Sequence, residues 1–112
     1  MLNLFRRGSN STVNNITPDE AKKELDRDKK IVLIDVRTEK EYKQKHIPNS
    51  TLIPLNILAG KIENKVPDKN QKIFVYCLSG GRSDSAVRKL VDMGYKNVYN
   101  LGGIVSWPYK TE

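Results

Sequence analysis

The sequence predicts one α/β domain in which helices flank both faces of a mainly parallel central sheet. Short β-favouring segments at about 31–36, 51–53, 72–77 and 97–101 alternate with helical patterns, as strands and helices do in α/β proteins. The segment at 31–34 is a continuous run of aliphatic side chains, which is typical of a parallel strand buried on both faces. A chain of 112 residues fits a single domain.

The first helix is predicted to begin directly after Thr17. This threonine suits the N-cap, Pro18 suits the first helical position, and Glu20 completes a capping box. The preceding residues, 1–14, are mostly polar and are expected to form a flexible N-terminal leader. Residues 15–112 then form the folded domain.

Three further helices follow from similar signals. A second capping box begins at Thr38, and an amphipathic helix is expected from Pro54 to Ile62. After the third β-favouring segment, apolar side chains recur at helical spacing from Ser83 onward. Gly94 supplies the C-terminal stop of this last helix.

Composition excludes several classes of function. A single cysteine cannot form an internal disulfide, and one cysteine with one histidine does not make a structural zinc site. We therefore expect no metal, and nothing calls for an organic cofactor. No apolar run approaches the roughly 20 residues of a membrane helix, and no secretory signal begins the chain. A free thiol fits a reducing compartment, so we expect a cytoplasmic protein. We also expect a monomer.

The net charge of +7 raises the question of nucleic acid binding. The 14 lysines are scattered among acidic residues, with no basic run and no series of aromatic side chains for base stacking. This pattern is typical of a lysine-rich, solvated surface, so no nucleic acid partner is expected. A positive field would still draw small anions towards a site.

The candidate nucleophile is Cys77, which follows the β-favouring segment 72–76 and precedes a Gly-rich loop. A strand that ends in a tight loop and opens into a helix points backbone N–H groups at one spot, where a thiol is held partly as thiolate. Gly80 and Gly81 allow the positive φ that turns successive amides inward, and Arg82 supplies a cation suited to an anionic substrate. A buried core cysteine is the alternative, but these loop residues would not pack a core.

Asp35 and Arg37 follow the first strand, at the sheet edge where α/β proteins place their ligand sites. They are candidates for the edge of the site. Alternatively, Arg37 pairs with Asp35 or Glu41 and only fixes the path of the chain. His46 lies next to a proline segment and is interpreted as a capping or packing residue rather than a catalyst.

The segment Cys77-Leu78-Ser79-Gly80-Gly81-Arg82-Ser83 resembles the active-site loop of the rhodanese family of sulfurtransferases. Other segments resemble further motifs of this family, in the family's order: Ile34-Asp35-Val36-Arg37, Glu41-Tyr42 with His46-Ile47-Pro48, and Leu101-Gly102-Gly103-Ile104 with Trp107. The resemblance extends over roughly residues 16–109, nearly the whole chain. It implies the same α/β fold, with the cysteine loop at the carboxyl edge of the sheet.

The resemblance also implies a thiosulfate sulfurtransferase. In such an enzyme the Cys77 thiolate would take the outer sulfur of a small anionic donor and pass it, through a persulfide, to cyanide or a thiol. The persulfide would be held by the backbone amides of Leu78, Ser79, Gly80, Gly81 and Arg82, and Arg82 would orient the donor. A thioredoxin-like or sulfur-relay protein is a candidate acceptor.

Two other functions fit the same motifs. Cysteine-dependent phosphatases use a Cys-x5-Arg loop, whereas four residues separate Cys77 from Arg82 here, a tighter cradle that suits one sulfur atom better than a phosphate. A non-catalytic binding or regulatory module of this fold usually lacks the cysteine or the small loop residues, and this chain has both. The sequence does not distinguish a turnover enzyme from a persulfide carrier.

Overall fold

A computed structural model describes residues 13–112, within which the strands form one all-parallel, four-stranded sheet. In chain order the strands are β1 (Val32–Asp35), β2 (Thr51–Leu52), β3 (Ile73–Cys77) and β4 (Val98–Gly103). Their spatial order is β2-β1-β3-β4, so that β3 lies in the interior of the sheet between β1 and β4. The predicted α/β fold is confirmed.

Helix α1 (Pro18–Arg27) precedes β1. Helices α2 (Glu39–Gln44), α3 (Leu58–Lys65) and α4 (Gly81–Asp92) connect the parallel strands, as parallel pairing requires. The predicted capping boxes are both present: Thr17 and Glu20 cap α1, and Thr38 and Glu41 cap α2. Short 3₁₀ helices occur at Leu55–Ile57 and Ile104–Ser106.

Two apolar clusters cover the two faces of the sheet. Because side chains alternate along a strand, Ile73, Val75 and Cys77 join the cluster under α3 and α4. Phe74 and Tyr76 join the other cluster, with α1 and the C-terminal segment. The interior strand β3 is therefore completely buried, and its last residue, Cys77, is held between two packed layers.

Some elements begin at residues other than those expected. The helix predicted from Pro54 has a 3₁₀ first turn and becomes α-helical only at Leu58. Helix α4 begins at Gly81 instead of Ser83, because Gly80 turns the chain with a φ of 111° and acts as the N-cap. Strand β4 extends through Gly102 and Gly103, and Gly102 has a φ of 95° beside a shift in register.

The segment before α1 lies along the outer edge of β4. The carbonyl group of Asn14 accepts a hydrogen bond from the amide of Asn100 at 2.7 Å, and the amide of Ile16 donates to the carbonyl of Asn100 at 3.1 Å. The rest of the predicted leader, residues 1–12, lies outside the described residues. Among residues 13–112, no helix is long and apolar enough to cross a membrane.

Candidate active site

Cys77 is the last residue of β3, at the carboxyl edge of the sheet. It is only 1% exposed, because the loop that follows folds back over the thiol. This nucleophile loop, residues 77–83, leads directly into α4. A reagent that reacts with this sulfur must therefore present a small atom to it.

Two backbone amides point at the sulfur, as the sequence predicts for a strand–loop–helix junction. The N–H of Gly80 donates to Sγ of Cys77 at 3.0 Å, and the N–H of Ser83 donates at 3.4 Å. The left-handed φ of Gly80 makes this geometry possible, and its carbonyl then accepts from Asp84 in the first turn of α4 at 3.0 Å. Side chains with a Cβ rarely adopt that φ, so glycine is favoured at position 80.

The hydroxyl group of Ser83 adds a third polar contact to the thiol. Ser83 is fully buried, and its Oγ lies 3.4 Å from Sγ of Cys77 and 2.7 Å from Oδ1 of Asn100. The amide of Gly102 donates to the same Oδ1 at 2.8 Å, which fixes the orientation of the Asn100 side chain. A chain of hydrogen bonds therefore runs from β4 to the candidate nucleophile.

These contacts oppose the cost of burying the thiolate. Burial by itself would raise the pKa of the Cys77 thiol. Hydrogen bonds from the hydroxyl and amide of Ser83 and from the amides of Gly80 and Ser79 stabilise the anion, and the net effect is a pKa below the usual value. The site thus favours the nucleophilic form of the sulfur.

Gly103 allows the nucleophile loop to approach β4. A Cβ at this position would lie 2.2 Å from the carbonyl oxygen of Leu78 and 2.6 Å from Cα of Ser79. Neither group is a flexible side chain that could move aside. Gly103 is extended, with a φ of −113°, so glycine is needed here for the close approach of the loop and not for a left-handed turn.

Arg82 does not point freely into solvent but is paired with Glu41 of α2. Nη1 and Nη2 of Arg82 donate to Oε1 and Oε2 of Glu41 at 2.8 and 3.0 Å. This hydrogen-bonded pair lowers the pKa of Glu41 to about 2, so that the carboxylate is charged at neutral pH. A guanidinium has five N–H groups, so three of those of Arg82 are not used by Glu41.

Asp35 and Arg37 form a buried pair. The guanidinium of Arg37 donates to both carboxylate oxygens of Asp35 at 2.7–3.1 Å, and also to the carbonyl of Lys45 at 2.6 Å. Both side chains are at most 4% exposed. These contacts favour the interpretation of this pair as a structural element that fixes the exit of the chain from β1.

His46 is packed against α2 and the C-terminus. Its ring stacks on that of Tyr42 with centroids 3.9 Å apart, and Nδ1 lies 2.9 Å from the carbonyl oxygen of Tyr42. Its backbone exchanges two hydrogen bonds with Glu112. Among the described residues, no group of three or more His, Cys, Asp or Glu side chains could hold a metal ion.

Asn100, Glu41 and Gly103 contribute to this site, although the sequence predicts no role for them there. A polar asparagine within a short strand is unfavourable by β-propensity, which is the one local signal for Asn100. Glu41 was accounted for as part of a capping box, and it also performs that role. The contact of Gly103 with the loop has no local signature.

The architecture agrees with comparisons to known proteins. The family model of the rhodanese-like domain matches residues 17–109. The chain belongs to this family. The thiosulfate sulfurtransferase PspE of Escherichia coli is 42% identical to it over 71 residues, which cover 63% of this chain and 68% of PspE.

Two further rhodanese-like relatives cover more of the chain. A sulfurtransferase of Allochromatium vinosum is 33% identical over 96 residues, covering 85% of this chain and 88% of the relative. The crystal structure of a rhodanese-related protein from Thermoplasma volcanium superimposes with a TM-score of 0.75 at 30% identity, covering 88% of this chain and 97% of that one. The resemblance expected from the four sequence motifs is confirmed.

Proposed function

We propose that this rhodanese-like protein is a sulfurtransferase that moves a sulfane sulfur from a donor such as thiosulfate to a thiophilic acceptor through a persulfide on Cys77. The observation that carries the proposal is the placement of the Cys77 sulfur at the sheet edge with the amides of Gly80 and Ser83 directed at it. The relatives named sulfurtransferases support the same reaction class.

In the first half-reaction, the Cys77 thiolate attacks the outer sulfur of thiosulfate. A bond forms between the two sulfur atoms, the bond between the outer sulfur and the sulfonate breaks, and sulfite leaves with the electron pair. Charge is conserved, because one thiolate and one dianion give a persulfide anion and sulfite dianion. The unused N–H groups of Arg82 are suited to orient the sulfonate oxygens.

The persulfide then extends one atom beyond Sγ of Cys77. In α4, which begins at Gly81, the first amides have no intrahelical acceptor. Those of Gly81 and Arg82 are the proposed donors to the terminal sulfur, with Leu78 and Ser79 forming the remaining wall. The small size of this cradle favours a single sulfur atom over a larger group.

In the second half-reaction, cyanide or a thiolate attacks the terminal sulfur and regenerates the Cys77 thiolate. With cyanide the product is thiocyanate, and with a thiol it is a new persulfide. Because both halves share one covalent intermediate, ping-pong kinetics are expected. A thioredoxin-like or sulfur-relay protein thiol is the proposed macromolecular acceptor.

The test is the intact mass of the purified protein after treatment with thiosulfate, with Cys77→Ser as the control. We expect a gain of one sulfur atom in the wild type only, reversed by cyanide with release of thiocyanate. An adduct that forms only with a cysteine desulfurase and its substrate would indicate a dedicated carrier. No adduct from either donor, in a folded protein with reduced Cys77, would contradict sulfur transfer and leave a binding module as the better explanation.

A further inference from the structure

The cation of the nucleophile loop is neutralised by a carboxylate from another element. Arg82 makes two hydrogen bonds of 2.8 and 3.0 Å to the carboxylate of Glu41, which lies 41 positions earlier in the chain. Glu41 is fixed in turn by Thr38, whose amide and hydroxyl both donate to Oε1 at 3.0 Å. The carboxylate is therefore already paired with Arg82 before any donor binds.

This pair changes the charge that a sulfur donor meets. Arg82 and Glu41 together have a formal charge of zero, so the thiolate of Cys77 leaves the centre with a charge of −1. Without the carboxylate, the arginine would balance the thiolate and the centre would be neutral. The extra negative charge weakens the binding of a dianion more than that of a monoanion, because Coulomb energy is proportional to the charge of the incoming ion.

We propose that Glu41, acting through Arg82, is a specificity-determining residue that disfavours dianionic sulfur donors relative to monoanionic ones. The inference rests on the proposed sulfur transfer and concerns the donor class of that same site. It predicts that removal of the Glu41 charge improves thiosulfate as a substrate more than it improves a donor of the same shape with one charge fewer.

A matched pair of donors isolates this charge effect. Thiosulfate and the methanethiosulfonate ion present the same outer sulfur on a sulfonyl group, but a methyl group replaces one charged oxygen. With methanethiosulfonate the Cys77 thiolate takes the outer sulfur, the sulfur–sulfur bond of the donor breaks, and methanesulfinate leaves. Two monoanions thus give a persulfide anion and a sulfinate anion, so atoms and charge balance.

The experiment measures kcat/KM for both donors with cyanide as acceptor, in the wild type, Glu41→Gln and Glu39→Gln. Glu39 is the matched control, because it lies in the same first turn of α2 and is exposed beside Lys43, 3.7 Å away. We expect Glu41→Gln to raise the kcat/KM for thiosulfate, relative to that for methanethiosulfonate, by about 3- to 20-fold. This is the effect of one unit charge on another roughly 6 Å away at effective dielectric constants of about 30–80. The change should appear in KM and should shrink as ionic strength rises.

The outcomes separate the inference from the proposed function. An unchanged donor ratio in Glu41→Gln, or loss of activity with both donors, would overturn the inference and show that Glu41 only holds the loop in place. A shift of the same size in Glu39→Gln would also overturn it, since the effect would then not depend on Arg82. If the wild type forms no persulfide with either small donor, the inference and the use of thiosulfate as donor both fail, and the desulfurase test then decides whether Cys77 carries sulfur at all.

Discussion

Replacement of Ser83 by alanine tests how the site stabilises its thiolate. The variant removes the hydroxyl group that lies 3.4 Å from Sγ of Cys77 but keeps the backbone amide that donates to the same atom. It also removes the contacts of this hydroxyl with Oδ1 of Asn100 at 2.7 Å and with the carbonyl oxygens of Gly80 and Gly102 at 3.0 and 3.3 Å. Oδ1 of Asn100 and the carbonyl oxygen of Gly80 keep the amides of Gly102 and Asp84 as donors. At the sulfur itself, the variant removes one contact.

The expected size of the shift in the pKa of Cys77 follows from the geometry. The hydroxyl has one proton, and Oδ1 of Asn100 at 2.7 Å and the carbonyl oxygens of Gly80 and Gly102 at 3.0 and 3.3 Å compete for it with Cys77 at 3.4 Å. When the thiol ionises, the proton is drawn towards the anion. A hydrogen bond to a charged group contributes about 1.5–3 kcal/mol, and a pKa unit corresponds to about 1.4 kcal/mol, so the lower end of that range gives a rise of about one unit in the pKa of Cys77.

The assay is the rate of iodoacetamide alkylation of Cys77 as a function of pH. In Ser83→Ala we expect the midpoint of the profile to move upward by about one unit, with the plateau at high pH preserved, because only the fraction of thiolate changes. Ser79→Ala is the control, since the Ser79 hydroxyl makes no hydrogen bond within residues 13–112. An unmoved midpoint in Ser83→Ala would show that the hydroxyl proton stays with its oxygen acceptors and that the amides alone lower the pKa of Cys77.

Two further predictions concern the supports of the site. Gly103→Ala should displace the nucleophile loop, because its Cβ would lie 2.2 Å from a loop carbonyl oxygen, and should slow persulfide formation by about 10- to 100-fold. Gly60→Ala, where a Cβ meets nothing within 4 Å, should leave that rate unchanged. Arg37→Met should lower the free energy of unfolding in urea by about 3–5 kcal/mol, because it leaves the buried carboxylate of Asp35 unpaired. Arg88→Met, at an exposed ion pair, should cost less than about 1 kcal/mol, and equal losses in the two variants would contradict this account.

Local physics accounts for what the sequence predicted well. The apolar run at 31–34 leads into β1, in which Leu33 and Ile34 are buried on opposite faces of the sheet, and both capping boxes formed because their partners are three residues apart. The helix after the loop begins two residues early, at Gly81, since a glycine with positive φ at position 80 can cap it without a polar side chain. Which of the two neighbouring glycines caps the helix depends on tertiary packing, which the local sequence does not describe.

The remaining parts of the site depend on residues that are distant in sequence. Glu41 meets Arg82, Asn100 meets Ser83, and Gly103 meets the loop only once the parallel sheet has brought β4 and α2 next to the end of β3. Capping signals and periodicity describe interactions over three or four residues, so they contain no information on these pairs. The arginine of the loop was accordingly expected to be available to a donor, whereas it is held by a carboxylate.

This arrangement separates two properties of the candidate nucleophile. The contacts from β4, through Asn100 and Ser83, act on the thiolate itself and so set how readily Cys77 ionises. The contact from α2, through Glu41, acts on Arg82 and so sets the charge that an incoming donor meets. Because the two supports approach the loop from different elements, the two substitutions should have different signatures. In Ser83→Ala the alkylation profile should move to higher pH while the donor ratio stays constant. In Glu41→Gln the donor ratio should shift and the profile should move the other way, to lower pH, because an uncompensated Arg82 also attracts the thiolate of Cys77.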